Sequence, residues 1–415
     1  MTSQDSNKPH APDAPAPTAT EKLGFFGLDA AAFDAAVVAW GWPRFRAQQV
    51  RDWVYAKGVA DPAVMTNLSR RDRDLLAERV RFASADVTAL QRSSDGTQKL
   101  LLTWPDGANA ETVMIPDADR RTACVSSQVG CPVGCKFCAS GINGVKGNLS
   151  AAQIVEQVYQ LNRVMGAGSD GATERRSDEG RANDASLSSP SSLRRSVAPS
   201  LSSPSLPPRI TNVVFMGMGE PLANYAAVMQ AIRVLHDPKC FNLGARRITI
   251  STVGVPPKML QLAEEALPLN LAISLHAPNE PLRKQLIPWA EHFALDEILD
   301  AARNYFDRTG REITLEYILL SGVNDRPEHA RELARLCKTL RANVNLIRYN
   351  KVESLPYLRP KADDVVRFQD ILRKAGVNAH VRKSRGRDID AACGQLRRKE
   401  QDKREREQLV TLGRS

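Results

Sequence analysis

The sequence predicts an α/β fold with a mainly parallel sheet, either open or closed into a partial barrel. From residue 123 onward, short apolar runs alternate with helical patterns, and repeated βα units of this kind form parallel sheets through right-handed crossovers. A separate helical pattern, with apolar residues at three- and four-residue intervals, precedes these units and predicts an additional domain. The predicted strands lie near residues 123–127, 210–216, 248–252, 269–275, 313–319 and 344–347.

The first part of the chain divides by composition into three regions. Residues 1–20 are rich in Pro and poor in large apolar side chains, which predicts disorder. Residues 21–85 predict a helical accessory domain, because their apolar residues recur at helix spacing. Residues 86–116 predict a strand-rich connector, because the turn signals Asp95-Gly96 and Asp106-Gly107 separate short alternating runs.

The rest of the chain contains the βα units and a charged tail. Residues 117–396 predict the barrel domain, whose ligands are expected at the carboxyl ends of its strands. Within this domain, residues 169–208 contain 12 Ser and 5 Pro, which predicts a flexible surface insertion. Residues 397–415 interleave basic and acidic side chains and predict a solvated charged C-terminal tail.

Composition excludes several protein classes. The 415 residues are 42% hydrophobic and 25% charged, which excludes a wholly disordered, collagenous or disulfide-stapled chain. No apolar run approaches the roughly 20 residues that span a bilayer, and the N-terminus lacks the apolar core of a signal peptide, so a cytoplasmic protein is expected. The formal net charge of +10 favours a polyanionic partner. The seven cysteines, an odd number, indicate reduced thiols.

Three cysteines lie close together in the sequence Cys131-Pro-Val-Gly-Cys135-Lys-Phe-Cys138. Structural zinc sites usually combine two separated Cys-x₂-Cys pairs, and no second pair accompanies this motif in the sequence. A four-iron cluster takes one thiolate per iron, so three cysteines leave one iron open to a substrate or cofactor. The spacing therefore favours an iron–sulfur cluster, with zinc as the alternative.

This spacing, with Phe137 just before the last cysteine, resembles the cluster motif of the radical S-adenosylmethionine (SAM) superfamily. Gly217-Met-Gly-Glu-Pro221 follows a predicted strand and resembles the motif that receives the methionine amino group of SAM in that superfamily. The resemblance implies a partial (βα)6 radical SAM barrel around one [4Fe–4S] cluster and SAM. It also implies that Cys131, Cys135 and Cys138 are the cluster ligands.

Further motifs, spread over residues 22–397 apart from the insertion, resemble those of the RlmN family of methyltransferases. The resemblance implies methylation of carbon 2 of one adenine in the peptidyl transferase centre of 23S ribosomal RNA, and of the adenine 3′ of the anticodon in some transfer RNAs. The motifs are Phe45-Arg-Ala-Gln-Gln, Trp53-Val-Tyr, Met65-Thr-Asn-Leu68, Glu111-Thr-Val-Met-Ile-Pro116, Cys124-Val-Ser-Ser-Gln-Val-Gly-Cys131, Ser251-Thr-Val-Gly254, Ser274-Leu-His-Ala277 and Ile389-Asp-Ala-Ala-Cys-Gly-Gln-Leu396.

The family resemblance also implies three catalytic residues. Cys393 would carry a methyl group from one SAM molecule, and a second SAM molecule would supply the 5′-deoxyadenosyl radical that activates it, so each turnover uses two. Glu111 would accept the C2 proton, and Cys124 would close a transient disulfide onto Cys393. The residues implied to contact SAM are Gly219, Glu220, Ser251, Ser274, Leu275, His276 and Asn350.

The implied partners are 23S rRNA, tRNA and a reducing electron donor such as flavodoxin with its reductase, and a monomer without membrane contact is expected. Basic residues just before Cys393 are candidates for phosphate contacts: Arg382, Lys383, Arg385 and Arg387. The helical domain is a second candidate RNA surface, through Arg44, Arg46, Arg51, Arg70, Arg71 and Arg73.

Two alternative functions stay open. A related enzyme that methylates adenine C8 would share all the catalytic groups. The other alternative is a non-enzymatic iron–sulfur or zinc RNA-binding protein, although Cys393 in its motif argues against it. The chain also departs from the RlmN pattern in its long insertion, in Met114 where an aromatic residue is usual, and in Arg348-Tyr349 before Asn350.

Overall fold

The computed structural model describes residues 22–170, 209–392 and 395. The α-helices in this part of the chain are α1 (Ala30–Ala39), α2 (Phe45–Arg51), α3 (Arg70–Arg79), α4 (Ala151–Asp170), α5 (Tyr225–His236), α6 (Pro256–Ala263), α7 (Glu280–Leu286), α8 (Leu295–Thr309), α9 (Pro327–Cys337) and α10 (Ala362–Lys374). The strands are β1 (Leu23–Gly24), β2 (Val80–Arg81), β3 (Asp86–Arg92), β4 (Gln98–Thr103), β5 (Asn109–Asp117), β6 (Arg120–Cys124), β7 (Gln128–Gly130), β8 (Val145–Asn148), β9 (Asn212–Phe215), β10 (Ile248–Thr252), β11 (Asn270–Ser274), β12 (Ile313–Leu319), β13 (Ala342–Arg348) and β14 (Ala379–Val381).

Helices α1 to α3 follow the short strand β1 and form the helical region of the chain. Helix α1 begins after Asp29, whose carboxylate accepts a hydrogen bond from Ala32 N at 2.8 Å and so satisfies one of the unpaired amides of the first turn. Arg51 at the end of α2 is only 3% exposed and donates to Asp34 at 2.5 Å. The prediction that Arg51 belongs to an RNA surface is therefore wrong, because its guanidinium forms a buried ion pair.

One ten-stranded sheet organises the described chain, in the order β14-β13-β12-β11-β10-β9-β6-β5-β4-β3. The strands from β14 to β6 pair in parallel, whereas β6, β5, β4 and β3 pair antiparallel. The predicted α/β fold is confirmed, and the six predicted strands correspond to β6 and β9 to β13. Strand β14 was not predicted, because three residues are too few for a periodic pattern.

The two faces of the parallel strands differ in chemistry. In β10, Ile248 and Ile250 are fully buried in the hydrophobic core, whereas Thr249 and Ser251 on the other face line cavities. Helices α4 and α5 pack together, as do α6 with α8 and α9 with α10, and their apolar residues join the same core. The polar inner face of the curved sheet is therefore available for ligands.

The last described segment returns the chain to the antiparallel end of the sheet. After β14, residues 386–390 hydrogen-bond to β4 and to the turn that joins β3 to β4. Cys393 lies outside the described residues, as do the predicted regions 1–20 and 397–415. Of the predicted insertion at 169–208, the first two residues end α4 and residues 171–208 lie outside the described residues. No helix of the described residues is long and apolar enough to span a membrane.

Candidate active site

The three predicted cluster ligands line one pocket at the carboxyl ends of the parallel strands. Cys131, Cys135 and Cys138 lie on the loop between β7 and β8, and each is partly accessible. Backbone hydrogen bonds hold this loop, from Cys138 N to Cys135 O at 3.1 Å and from Lys136 N to Leu286 O at 3.0 Å. The loop is therefore fixed against α7, and its sulfur atoms share one wall of the pocket.

The raised pKa values of Cys131 and Cys135 indicate that thiolates are unfavourable in this pocket unless a cation lies beside them. Burial raises the pKa of Cys131 to about 12 and that of Cys135 well above its usual range, and the nearby Cys138 adds to both shifts. Three thiolates can therefore be held here only with a compensating cation. No group of three or more His, Cys, Asp or Glu side chains in the described residues is placed to hold a single metal ion. A four-iron cluster distributes its thiolates over separate irons.

Arg283 on α7 supplies further donors beside the cysteine loop. Its side chain is 1% exposed, and its Nη2 donates to Val253 O. Its Nε and Nη1 have no hydrogen-bond partner among the described residues. Burial lowers the pKa of Arg283, and its charge opposes the rise in the pKa of Cys135. Buried N–H groups require acceptors, and cluster sulfur atoms accept such bonds, so the surroundings fit an iron–sulfur cluster.

The turn after β9 carries the predicted Gly219 and Glu220. The Glu220 side chain is 3% exposed, and its carboxylate accepts from Leu222 N at 3.0 Å and Val253 N at 2.8 Å. Burial raises the pKa of Glu220 to about 7, against the opposing effect of these hydrogen bonds. A carboxylate that lines the pocket with a high pKa gains stability from a cationic group, such as the ammonium of an amino acid.

The position of Gly219 has no room for a side chain. Its φ is +104°, and a Cβ atom there would lie 2.7 Å from both Gln128 Cβ and Ser127 Oγ. We expect Gly219→Ala to weaken SAM binding by about 10- to 100-fold, because the strain of roughly 1–3 kcal/mol displaces the turn that carries Glu220. Equilibrium binding of SAM to the reconstituted protein measures this effect.

Gly376→Ala is the matched control for this prediction. Gly376 also has a positive φ, of +83°, but a Cβ there meets nothing within 4 Å. It follows α10 and does not line the pocket. Equal affinities for SAM in the wild type and Gly219→Ala would contradict the prediction, whereas equal losses in both variants would assign the effect to backbone strain in general.

Two serines and a histidine complete the pocket. Ser251 Oγ and Ser274 Oγ lie 3.4 Å apart on neighbouring strands and both line the pocket. His276 has a left-handed backbone with φ of +57°, and its Nδ1 accepts from Ile318 N at 3.1 Å. Burial, then the charge of Arg283, lowers the pKa of His276 to about 3. The imidazole is therefore neutral at physiological pH and packs edge-to-face on Phe137, with ring centroids 5.0 Å apart.

Two predicted cofactor contacts do not line this pocket. Leu275 is fully buried in the core, and its backbone N donates to Glu316 O at 3.0 Å. Asn350 is 7% exposed, and its Oδ1 accepts from Arg359 Nη1 at 3.1 Å. The residues that line the pocket do not include either of them.

The predicted base and the predicted thiol lie on paired strands. Glu111 is in β5 and Cys124 ends β6, where it pairs with Val113. Ser126, two residues after Cys124, donates from its Oγ to the backbone O of Glu111 at 2.7 Å and accepts from Met218 N at 2.9 Å, next to the pocket residue Gly219. The side chains of Glu111 and Cys124 are both buried, and each residue is 6% exposed.

Sequence reasoning missed Lys99 and Glu316. Lys99 in β4 is 8% exposed, and its Nζ lies 3.3 Å from Glu111 Oε1. Glu316 accepts from Asn345 Nδ2 at 2.9 Å and from Arg382 Nη1 at 3.3 Å. Glu316 carried a visible signal, because it is the charged residue of the otherwise apolar strand ITLEYIL. Lys99 carried none, since a lysine at one end of a strand is ordinary.

A second cavity of about 860 Å³ lies inside the sheet, towards the amino ends of the strands. It shares Met216, Glu316 and Arg382 with the cysteine pocket, so these three side chains separate the two spaces. Its lining is rich in basic side chains: Arg120, Arg246, Arg247, His380, Arg382, Lys383 and Arg385. Of the predicted phosphate contacts, Arg387 does not line it.

Comparison with known proteins identifies two regions of the chain. Residues 23–81 match the ribosomal RNA large subunit methyltransferase N-terminal domain family, and residues 206–336 match the radical SAM superfamily. The structure superimposes on a crystal structure of a radical SAM methyltransferase from Sphaerobacter thermophilus with a TM-score of 0.78 and 39% identity, covering 90% of this chain and 99% of that one.

Curated relatives extend the similarity over most of the chain. A probable dual-specificity RNA methyltransferase RlmN of Dictyoglomus turgidum is 42% identical over 86% of this chain and 92% of the relative. Its counterpart from Symbiobacterium thermophilum is 44% identical over 88% of each chain. The similarity therefore covers the helical region, the antiparallel strands and the parallel sheet together, and the chain belongs to the RlmN family of radical SAM methyltransferases.

Proposed function

We propose that this protein methylates carbon 2 of a specific adenine in 23S rRNA and in some transfer RNAs, with Glu111, Cys124 and Cys393 as its catalytic residues. The observation that carries the proposal is that Glu111 and Cys124 lie on paired strands, and that Ser126 bonds the backbone of Glu111 to Met218, which precedes the pocket residue Gly219. The curated relatives are probable dual-specificity RNA methyltransferases, which supports the same substrate class.

Membership of the radical SAM family implies a [4Fe–4S] cluster and SAM. We assign the cluster to Cys131, Cys135 and Cys138, and the SAM contacts to the turn at Gly219-Glu220 and to the pocket side chains Ser251, Ser274 and His276. When bound, these groups supply a methyl group, one electron and a radical that removes a hydrogen atom. Because His276 is neutral, it adds no second positive charge beside the ammonium that Glu220 would bind.

Cys393 acts first, as a nucleophile whose sulfur takes up the methyl group and releases the thiol proton. After one hydrogen atom leaves this methyl group, its carbon bonds to adenine C2. Glu111 then accepts the C2 proton, and one electron passes from the adduct to the oxidised form of the external carrier that supplied the earlier electron. The ammonium of Lys99, 3.3 Å from Glu111 Oε1, stabilises the ionised carboxylate that can accept a proton.

Cys124 ends the reaction. Its thiolate attacks the Cys393 sulfur, so that an S–S bond forms while the bond from sulfur to the methylene carbon breaks. The carbon keeps the electron pair of that bond and takes a proton, which completes the new methyl group. Two external electrons then reduce the disulfide, and we propose flavodoxin with its reductase as the donor for the cluster.

The basic cavity is the proposed entrance for the RNA. Adenine C2 reacts only when the base leaves its stack, and phosphates that flank an extruded base require cations. Arg246 and Arg247 precede β10, and Arg382 to Arg385 follow β14, so both groups lie around one opening. We propose that the chain acts as a monomer in the cytoplasm, where ribosomal and transfer RNA are found.

Anaerobic reconstitution with iron and sulfide, followed by incubation with SAM, a reductant and RNA, tests the proposal. We expect 5′-deoxyadenosine and 2-methyladenosine to form together, as measured by mass spectrometry of the digested RNA. Formation of 8-methyladenosine instead would support the related C8 enzyme. RNA binding without SAM cleavage would support the non-enzymatic alternative.

A further inference from the structure

Hydrogen bonds run in both directions between the turn that joins β3 to β4 and the segment 386–392, which precedes Cys393. In the turn, Asp95 accepts through Oδ2 from Gly386 N at 3.0 Å. In the segment, Asp388 accepts from Ser93 Oγ at 2.5 Å and from Ser94 N at 3.1 Å. Each side thus presents one carboxylate to a backbone amide of the other.

Both carboxylates are adapted to the ionised state. Burial raises the pKa of Asp95, but hydrogen bonds from Thr97, Gly386 and Ser93 outweigh it and lower the pKa to about 2. The hydrogen bond from Ser93 lowers the pKa of Asp388. The contact therefore persists across the physiological pH range.

The backbone of the segment is shaped for this contact. Gly386 has a φ of +63°, and a Cβ atom there would lie 2.7 Å from Ala391 Cβ and 2.9 Å from Thr97 Cγ2. Ala391 N donates to Gly386 O at 2.9 Å and closes a tight loop. Ala391 and Ala392 are both 7% exposed, so the loop is packed directly up to the residue before Cys393.

Lys99 connects this loop to the proposed base. Its Nζ donates to Asp390 O at 3.2 Å and lies 3.3 Å from Glu111 Oε1. The β3–β4 hairpin thus holds the loop through its turn and through β4, and it holds Glu111 through the same lysine. One hairpin therefore contacts both the loop that precedes Cys393 and the proposed base.

We propose that Ser93, Asp95 and Asp388 are positioning residues, which set the loop 386–392 so that Cys393 meets Cys124. This inference rests on the proposed function for the roles of the two cysteines. The contact joins the turn before β4 to the segment after β14. Within the turn, Ser93 Oγ also accepts from Asp95 N at 3.3 Å and Asp95 Oδ1 from Thr97 N at 3.0 Å, so only Asp388 serves the contact alone. Loss of these hydrogen bonds is expected to slow formation of the Cys124–Cys393 disulfide, because a loop that is not held in place brings the two thiols together less often.

Oxidation of the reconstituted full-length protein by diamide tests this without RNA or SAM. The two thiols lose their protons and two electrons to diamide, which becomes the hydrazine, and the Cys124–Cys393 bond forms. Peptide mass spectrometry measures its rate. We expect Asp388→Ala to slow it by about tenfold, and Asp388→Asn to restore most of the rate because the amide oxygen still accepts from Ser94 N.

Asp106→Ala is the matched control. Asp106, like Asp95, is in an Asp-Gly turn and, like Asp388, accepts from a backbone amide, that of Ala108 at 3.0 Å, but its other oxygen accepts from Gln153 Nε2 at 2.9 Å on α4. A wild-type rate in Asp388→Ala, an equal loss in Asp106→Ala, or a wild type that forms no such disulfide overturns the inference. Failure of the proposed function appears separately, as a wild type that makes no 2-methyladenosine.

Discussion

The Cys393→Ala protein is expected to lose RNA methylation by at least about 1000-fold, because removal of a covalent nucleophile eliminates the route rather than slowing it. Its iron content is expected to equal that of the wild type, since Cys393 lies outside the motif that holds the three proposed cluster ligands. Methyladenosine in digested RNA and iron per chain are the two measurements.

Cys337→Ala is the matched control for this variant. Cys337 ends α9, is 6% exposed and belongs to the hydrophobic core, and its pKa is raised to about 12 by burial. Cys337 belongs to none of the motifs that resemble the RlmN family, so its loss is expected to reduce stability and to leave methylation in place. Methylation by Cys393→Ala at a wild-type rate would eliminate Cys393 as the methyl carrier.

The Cys135→Ala protein is expected to lose both the cluster and all methylation. Its thiol is fixed in the loop against α7, and an alanine there leaves one iron without its protein ligand. Iron per chain and the visible absorbance of the reconstituted protein measure the first effect, and methyladenosine measures the second. Loss of iron in Cys135→Ala but not in Cys393→Ala would therefore distinguish a cluster ligand from the methyl carrier.

Cys240→Ala controls for the removal of a cysteine elsewhere. Cys240 is 9% exposed, beside Tyr55, and burial raises its pKa to about 12. Its replacement should leave iron content and methylation unchanged. A Cys135→Ala protein that retains full iron content would show that the cluster ligands have been assigned wrongly.

The sequence was sufficient for the parallel strands other than β14, because buried strands are rich in apolar residues. Strand β12 has six uncharged residues around Glu316, and such apolar runs survive in a single sequence. The residues that line the pocket could be named only through motif resemblance, since hydrophobic patterns do not report which loops converge. The same resemblance implies SAM contacts from Leu275 and Asn350, which do not line the pocket, and their role stays a prediction.

Side chains that act through distant contacts could not be predicted. Arg51 looked like one more surface arginine, and only its partner Asp34 reveals that it is buried. Arg283 and Lys99 likewise have no local pattern that distinguishes them from other cations. Their importance depends on which groups the fold places beside them, and a one-dimensional pattern contains no such information.

The contact between the hairpin turn and the loop also bears on how the molecule folds. Ser93 and Asp388 are 295 positions apart, so their contact closes a long loop at an entropic cost that local contacts do not carry. Local pairing of β3 with β4 does not depend on that event. We therefore expect the contact between the hairpin turn and the loop to be among the last to form. The loop that precedes Cys393 is therefore expected to take its place against the hairpin only when the sheet is complete.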